Sequence, residues 1–266
     1  MPTPLEILLN PISLGALGMY ACLIAWEALA PARPMPKIRG WIPRALGVFV
    51  VYFYLSSYLP LVWDGYLAQY QLFDLRHLGA VQGMLVGLVV YEVLLYAWHR
   101  TMHHKKALWR SFHQMHHSAE RLDTFGAFYI SPLDTVGFTF LGSLALVMVV
   151  GLSPQAVTLW LFVTLFLAIF QHANIKTPRW IGYVIQRPES HSVHHQRGLH
   201  RYNYCDLPVI DMLFGTFKNP KGYEQENGYY NGASARIVDM LLWRDVSKPK
   251  APARVAGVLE HKVNAY

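Results

Sequence analysis

Residues 135–175 run for 41 positions without one Asp, Glu, Lys or Arg. That is about twice the roughly 20 apolar residues that cross a 30 Å hydrocarbon core. Only Gly151-Leu152-Ser153-Pro154 interrupts the run, and those residues have turn-forming chemistry. The stretch reads as a helical hairpin of two spans back to back. A re-entrant pair that dips into the bilayer and returns is the alternative, because the second arm is short. Composition agrees with a membrane solvent: 53% of the 266 residues are hydrophobic and 15% are charged, against about 25% charged in soluble domains. Disorder, collagen-like repeats and coiled coil all need a polar or periodic composition that this chain lacks.

Three further apolar runs, 12–30, 45–62 and 78–98, precede the polar middle, each near the length of one span. The first carries Glu27 and the third Glu92. The expected fold is an all-α integral membrane protein of about five transmembrane helices, three plus a hairpin, with a histidine-rich helical cap. Residues 1–78 would form the N-terminal membrane helices, 79–220 the region that holds the histidine cap and 221–266 a cytoplasmic C-terminal tail. The first 11 residues contain no Lys or Arg, so the opening apolar run reads as a retained helix rather than a signal peptide. Arg33, Lys37, Arg39 and Arg44 follow the first run with no acid among them, while Asp64 and Asp74 precede the third. Positive-inside then sets the N-terminus outside and the histidines on the cytoplasmic face, which in a bacterium is the inner face of the inner membrane. The net charge of +7 is spread between apolar segments, which argues for juxtamembrane placement and against nucleic acid. Two distant cysteines, Cys22 and Cys205, offer no disulfide framework or thiolate metal site. The basic, proline-containing stretch 248–254 reads as solvated or lying on lipid.

The histidines are not spread. Of 13, 11 fall between His99 and His200, and only His77 and His261 lie outside. His99 and His103 are four apart; His113, His116 and His117 stand at i, i+3 and i+4, and His191, His194 and His195 repeat that spacing. On a helix each cluster shares one face and can present two or three nitrogens to a common centre. Imidazole suits Zn, Cu, Fe and Ni, and no thiolate or carboxylate sits inside a cluster. Eight to ten imidazoles exceed what one zinc uses, so two metals fit the count. The H-E-x-x-H zinc protease pattern is absent. A metal-handling or transport protein would keep its ligands near the bilayer midplane on broken helices, and a haem carrier needs paired axial histidines without tight triplets.

His99-Arg100-Thr101-Met102-His103, His113-Gln114-Met115-His116-His117 and His191-Ser192-Val193-His194-His195 resemble the H-x3-H, H-x2-HH, H-x2-HH signature of the fatty acid hydroxylase/sterol desaturase superfamily. His172-Ala173-Asn174, Asn203-Tyr204 and the stretch from Asp211 to Phe217 extend the likeness, which runs from about Glu92 to Phe217. Tyr129-Ile130-Ser131-Pro132 and Cys205 depart from the pattern of many bacterial members, so the substrate is not carried over.

The resemblance implies that His99, His103, His113, His116, His117, His191, His194 and His195 bind two irons, with His172 completing the set and His200 a further ligand. Zinc can replace iron in over-expressed material. His104 is left as a supporting or surface group. Glu92, Asn174 and Asp211 are candidates to hydrogen-bond the ligands' second ring nitrogens; for Glu92 an interfacial ion pair is the alternative, and for Asp211 support of the Phe214-Gly215 turn. The implied activity is O2-dependent hydroxylation, or desaturation, of a lipid such as a sterol or fatty-acyl chain. The chain has no haem box, no cysteine cluster and no dinucleotide fingerprint, so electrons would come from an external donor of the ferredoxin or cytochrome b5 type.

Overall fold

The structure, a computed structural model, describes residues 1–249. His261 and most of the basic stretch 248–254 lie outside the described residues. The helices in chain order are α1 (Pro4–Leu9), α2 (Pro11–Leu29), α3 (Trp41–Leu67), α4 (Ala80–His104), α5 (Lys106–Leu108), α6 (Gln114–His117), α7 (Pro132–Ser143), α8 (Pro154–Phe170), α9 (Pro188–His194), α10 (Pro208–Leu213) and α11 (Ile237–Leu241). No β-strand occurs among the described residues, only two isolated bridges. Six of these helices, α1, α2 and α7 to α10, open on proline. Its fixed φ suits the first helical turn, where the missing N–H would have no helical partner. Thr3, Asn10, Ser131 and Ser153 cap α1, α2, α7 and α8 by accepting from backbone amides of the first turn.

Four helices are long and apolar enough to cross a membrane: Pro11–Leu29, Trp41–Tyr70, Ala80–His104 and Pro132–Val150. The expected second arm of the hairpin is the apolar helix Pro154–Phe170, at 17 residues the shortest of the five. It spans about 26 Å at 1.5 Å per residue. The first arm continues from α7 as a π-helical stretch, Leu144–Val150, and turns at Gly151, whose φ is 64°. A Cβ there would clash with Gln71 Nε2 and the Phe73 carbonyl oxygen, so this position needs glycine twice over. Backbone amides of Leu72, Phe73 and Leu75 reach the carbonyls of Met148, Val149 and Val150 at 2.8–3.2 Å. They satisfy the orphan acceptors that a helix end leaves.

α4 packs directly on α8 and on the end of the first arm. A Cβ on Gly83 would lie 2.9 Å from that of Ala156, and one on Gly87 2.7 Å from Leu146 and Leu152. Small residues spaced four apart let the helices approach closely, as membrane packing requires.

At the opposite end of the bundle the chain gathers. Glu27, at the end of α2, accepts from the amides of Thr124 and Asn174 at 2.7 and 3.0 Å, and the Ala32 amide donates to the Asn174 carbonyl. The start of α3 is held by Trp41 Nε1 donating to Asp123. The loops after α4, before α7 and after α8 therefore share one end of the molecule. Residues after 221 fold back onto it: Tyr229 Oη donates to the Gln114 carbonyl at 2.9 Å, and Met240 and Val246 are buried with Trp41, Met115 and Tyr129.

Candidate metal centre

The histidines converge at this end as two adjoining groups. One ring nitrogen from each of His99, His103, His113, His117 and His194 lies within 4.8 Å of the others, and the same holds for His116, His172, His191 and His195. Each H-x2-HH box is split between the groups. Positions i and i+4 lie about 40° apart on a helix, with i+3 about 60° to the other side. His113 and His117 accordingly share one group while His116 joins the other; His191 and His195 pair while His194 crosses over. His172 returns from the hairpin to face both other elements, its Nε2 3.1 Å from that of His116 and 3.0 Å from that of His191.

In the five-histidine group every Nδ1 has a partner on the outer side. His99 donates to the Tyr204 carbonyl, His103 to that of His200 and His194 to that of Tyr202, each at 2.7 Å. His113 Nδ1 meets Asp134 Oδ2 at 2.7 Å, and His117 Nδ1 meets His200 Nδ1 at 3.1 Å. The three carbonyls come from one loop in which His200, Tyr202 and Asn203 have φ of 44°, 73° and 51°. Such backbone is strained for residues with a side chain and persists only when its surroundings fix it. Asn203 does so: its amide donates to the Ser190 and Lys218 carbonyls, and its Oδ1 accepts from the Lys218 amide.

With Nδ1 committed outward, neutral rings point bare Nε2 lone pairs inward. Those of His99 and His113 face each other at 2.9 Å, and those of His103, His117 and His194 are buried without a hydrogen-bond partner. Buried unpaired nitrogens are costly, and facing lone pairs repel. A cation among them removes both penalties, and two nitrogens about 2.1 Å from one ion at a right angle lie about 3 Å apart. Burial, with the neighbouring imidazoles, holds His116, His117, His191, His194 and His195 well below the ordinary histidine range. Burial also takes His172 to about 4. Neutral imidazole is the form a metal binds. The residues therefore fit two metal ions with all-nitrogen protein ligation.

Trp109 covers the five-histidine group, its ring 4.8 Å from that of His103 and 5.0 Å from that of His117. It opens a π-helical turn, Trp109–His113, a distortion frequent at functional sites.

His200, Glu92 and Asn174 make contacts other than the expected ones. His200 joins neither group and instead braces His117. Glu92 is fully buried but accepts from the amides of Asp206 and Leu207 at 3.0 and 3.1 Å; seven residues before His99 is about 10 Å along the helix, too far for a carboxylate to reach that ring. Asn174 donates to the Arg33 carbonyl at 2.7 Å rather than to an imidazole. Asp211 takes the turn-forming alternative, accepting from the Tyr204 and Cys205 amides and from Thr216 Oγ1. The carboxylate that does support one of the grouped imidazoles, Asp134 on His113, was hidden in a Ser131-x-x-Asp134 helix start. His104 is exposed, with Nδ1 on the Arg100 carbonyl.

Residues 84–216, half of the chain, match the fatty acid hydroxylase family. The chain belongs to that family. The match covers all three histidine boxes, His172 and Asp134. An ornithine lipid hydroxylase from Rhizobium tropici is 34% identical over 142 residues, covering 52% of this chain and 42% of that protein. Sphinganine C4-monooxygenase 2 of Arabidopsis thaliana is 24% identical over 157 residues, covering 58% and 61%. A cholesterol 25-hydroxylase-like protein of Danio rerio is 25% identical over 187 residues, covering 66% and 71%. The chain spans about half the length of the first relatives it matches. No solved structure matches it.

Proposed function

We propose that the chain is a membrane oxygenase that hydroxylates a lipid with O2 and two electrons delivered by another protein, and that residues 79–220 carry the reaction. The two adjoining imidazole groups at one end of a membrane-helix bundle are the observation that carries this reading. Two iron ions, when bound there, supply the O2 activation and the attack on an unactivated C–H bond that no protein side chain can provide. The overall balance is R–H plus O2, two electrons and two protons giving R–OH and water.

The chain's own contribution is preorganisation. His99, His103, His113, His117 and His194 would hold one ion, and His116, His172, His191 and His195 the other. The carbonyls of His200, Tyr202 and Tyr204 and the Asp134 carboxylate keep the Nδ1 protons outward, so the Nε2 lone pairs face inward. Nearly all of these rings are buried, which excludes bulk water from a site that handles a reactive oxidant.

The relatives and the fold together support a bilayer lipid as substrate. Relatives named for ornithine lipid, sphinganine and cholesterol have in common a molecule that resides in a bilayer, and the histidine groups sit where the apolar helices end. Charge asymmetry of the loops supports a cytoplasmic position for that end, where a soluble ferredoxin or cytochrome b5 type donor would reach it. Hydroxylation is favoured over desaturation because it needs only one C–H bond aligned. Turnover of a membrane lipid extract under 18O2 with a chemical reductant tests this: the product should gain one labelled oxygen, and a product with a new double bond and no label would overturn it.

A further inference from the structure

Beyond the membrane helices the surface carries a second apolar face that no part of the described chain covers. It is built by the 3-10 turn Arg179–Tyr183 and by α10. Trp180 is 67% exposed, Val184 62% and Leu213 77%, and Tyr183, Val209 and Phe214 are more than half exposed. The two pieces form one unit. The Tyr183 and Phe217 rings lie 5.7 Å apart, and Arg179 and Asn219 exchange backbone and side-chain hydrogen bonds at 3.2 and 3.0 Å.

The face is continuous with the lipid-facing bundle. Ile210 of α10 is buried with Tyr96 of α4, and Phe214 stacks on the Tyr96 ring at 4.7 Å. Ile181, in the turn, packs on Phe170 and Ala173 where α8 ends. Charge is distributed with a sign. Lys176, Arg179 and Lys218, on or next to these segments in the chain, are exposed, the Lys218 ammonium lying 5.0 Å from the Tyr202 ring centre, while the one acid of α10, Asp211, is fully buried and spent on backbone amides. Exposed aromatics and aliphatics rimmed by cations are the pattern of a segment lying in the headgroup and acyl boundary, attracted by anionic lipid.

We propose that this face is seated in the lipid leaflet on the histidine side of the membrane, with Lys176, Arg179 and Lys218 at the level of anionic headgroups. The seating fixes the depth of the metal centre. α10 follows directly on the loop whose Tyr202 and Tyr204 carbonyls hold His194 and His99, and Glu92 and Asp211 clamp that loop between α4 and α10. A lipid held beside α10 would therefore meet the centre without leaving the bilayer. The seating itself rests on exposure, charge and continuity; only its consequence for the histidine centre depends on the oxygenase reading.

Site-directed spin labelling of the full chain in nanodiscs tests it. In a Cys22→Ser background, with Cys205 buried and its thiol pushed up by burial, nitroxides are placed at Val184→Cys, Leu213→Cys and, for reference, the exposed Asn231→Cys. Seating predicts an oxygen-to-nickel-chelate collision ratio several-fold higher at 184 and 213 than at 231. The ratio should rise further when phosphatidylglycerol is added to phosphatidylcholine discs, and the Lys176→Glu, Arg179→Glu, Lys218→Glu variant should lose that rise. Equal nickel access at all three positions would overturn the proposal. So would protection at 184 and 213 found only in particles holding two chains, which would make the face a contact between copies.

Discussion

The two histidine groups differ in how firmly the protein holds them. In the five-histidine group each Nδ1 is anchored by a carbonyl, a carboxylate or another ring. In the four-histidine group His172 donates to the Ala168 carbonyl at 2.6 Å, whereas Nδ1 of His116 and of His191 is buried without a hydrogen-bond partner. An anchored ring has its tautomer and orientation set before metal arrives; an unanchored one must be set by the metal or by an ordered water. The five-histidine group is thus the preorganised half, and the four-histidine group the adaptable half.

Removing a ligand from each half gives the largest expected effect. His116→Ala leaves three imidazoles in its group, while the adjacent His117→Ala leaves four in the other. Metal content should fall from about two ions per chain to about one in His116→Ala, since its group has four imidazoles and loses one of them. His117→Ala should retain more than His116→Ala. Elemental analysis of protein purified anaerobically with iron reads the difference, and equal losses in both variants would remove the asymmetry.

Asp134 probes the anchoring itself. Asp134→Ala takes away the partner of His113 Nδ1, and loss of such an outer partner typically weakens a metal site by about 10–100-fold. The weakening should be confined to one ion of the pair, with Asp134→Asn, which keeps an acceptor oxygen, in between. Competition with a chelator would resolve two release phases, only one of which moves. If both phases shift together, the two groups are not separately supported.

The three boxes were legible because spacing at i, i+3 and i+4 is a statement about one helix face, and it survives whatever the tertiary fold does. The offset of i+3 from i and i+4 already splits the second and third boxes, but which rings join across boxes was not legible, since it depends on how α4, α6 and α9 meet. The supports were harder still. Three of the anchors are backbone carbonyls, which every residue possesses, aimed by left-handed backbone at His200 and Tyr202 that no side-chain pattern announces. Asp134 was concealed because an acid three residues after Ser131 already has an ordinary explanation as a helix start. Glu92 misled for the opposite reason. It lies on the face of α4 that carries the ligands, but its partners are amides of a loop more than a hundred residues away in sequence. The membrane helices followed from the apolar runs, while the exposed apolar face on α10 did not, because a six-residue helix has too little sequence to carry a period.

Acid should separate the halves from their scaffold. Burial holds His172 and His200 at about 4 in the metal-free protein, against about 6.5 in an unfolded chain. Between these values the unfolded state binds protons that the folded state refuses, so stability is lost as pH falls from roughly 6.5 towards 4. Metal-free protein in detergent should melt at lower temperature at pH 5 than at pH 7. His200→Gln should flatten part of that slope, and a melting temperature indifferent to pH over this window would contradict the burial of these rings.

The smallest effect belongs to His104, and it is informative for that reason. It sits beside His103 in sequence and at the end of the same helix, so any account built on histidine density would include it. Its ring is exposed, its Nδ1 is bonded to the Arg100 carbonyl four residues back, and it points about 100° away from the face that carries His103. His104→Ala should keep both ions, both chelator release phases and its melting temperature within measurement error, as surface substitutions usually do. Loss of an ion in this variant would mean that α4 is rotated from the orientation that brings His99 and His103 together, and the division into an anchored and an adaptable half would have to be redrawn around a different set of rings.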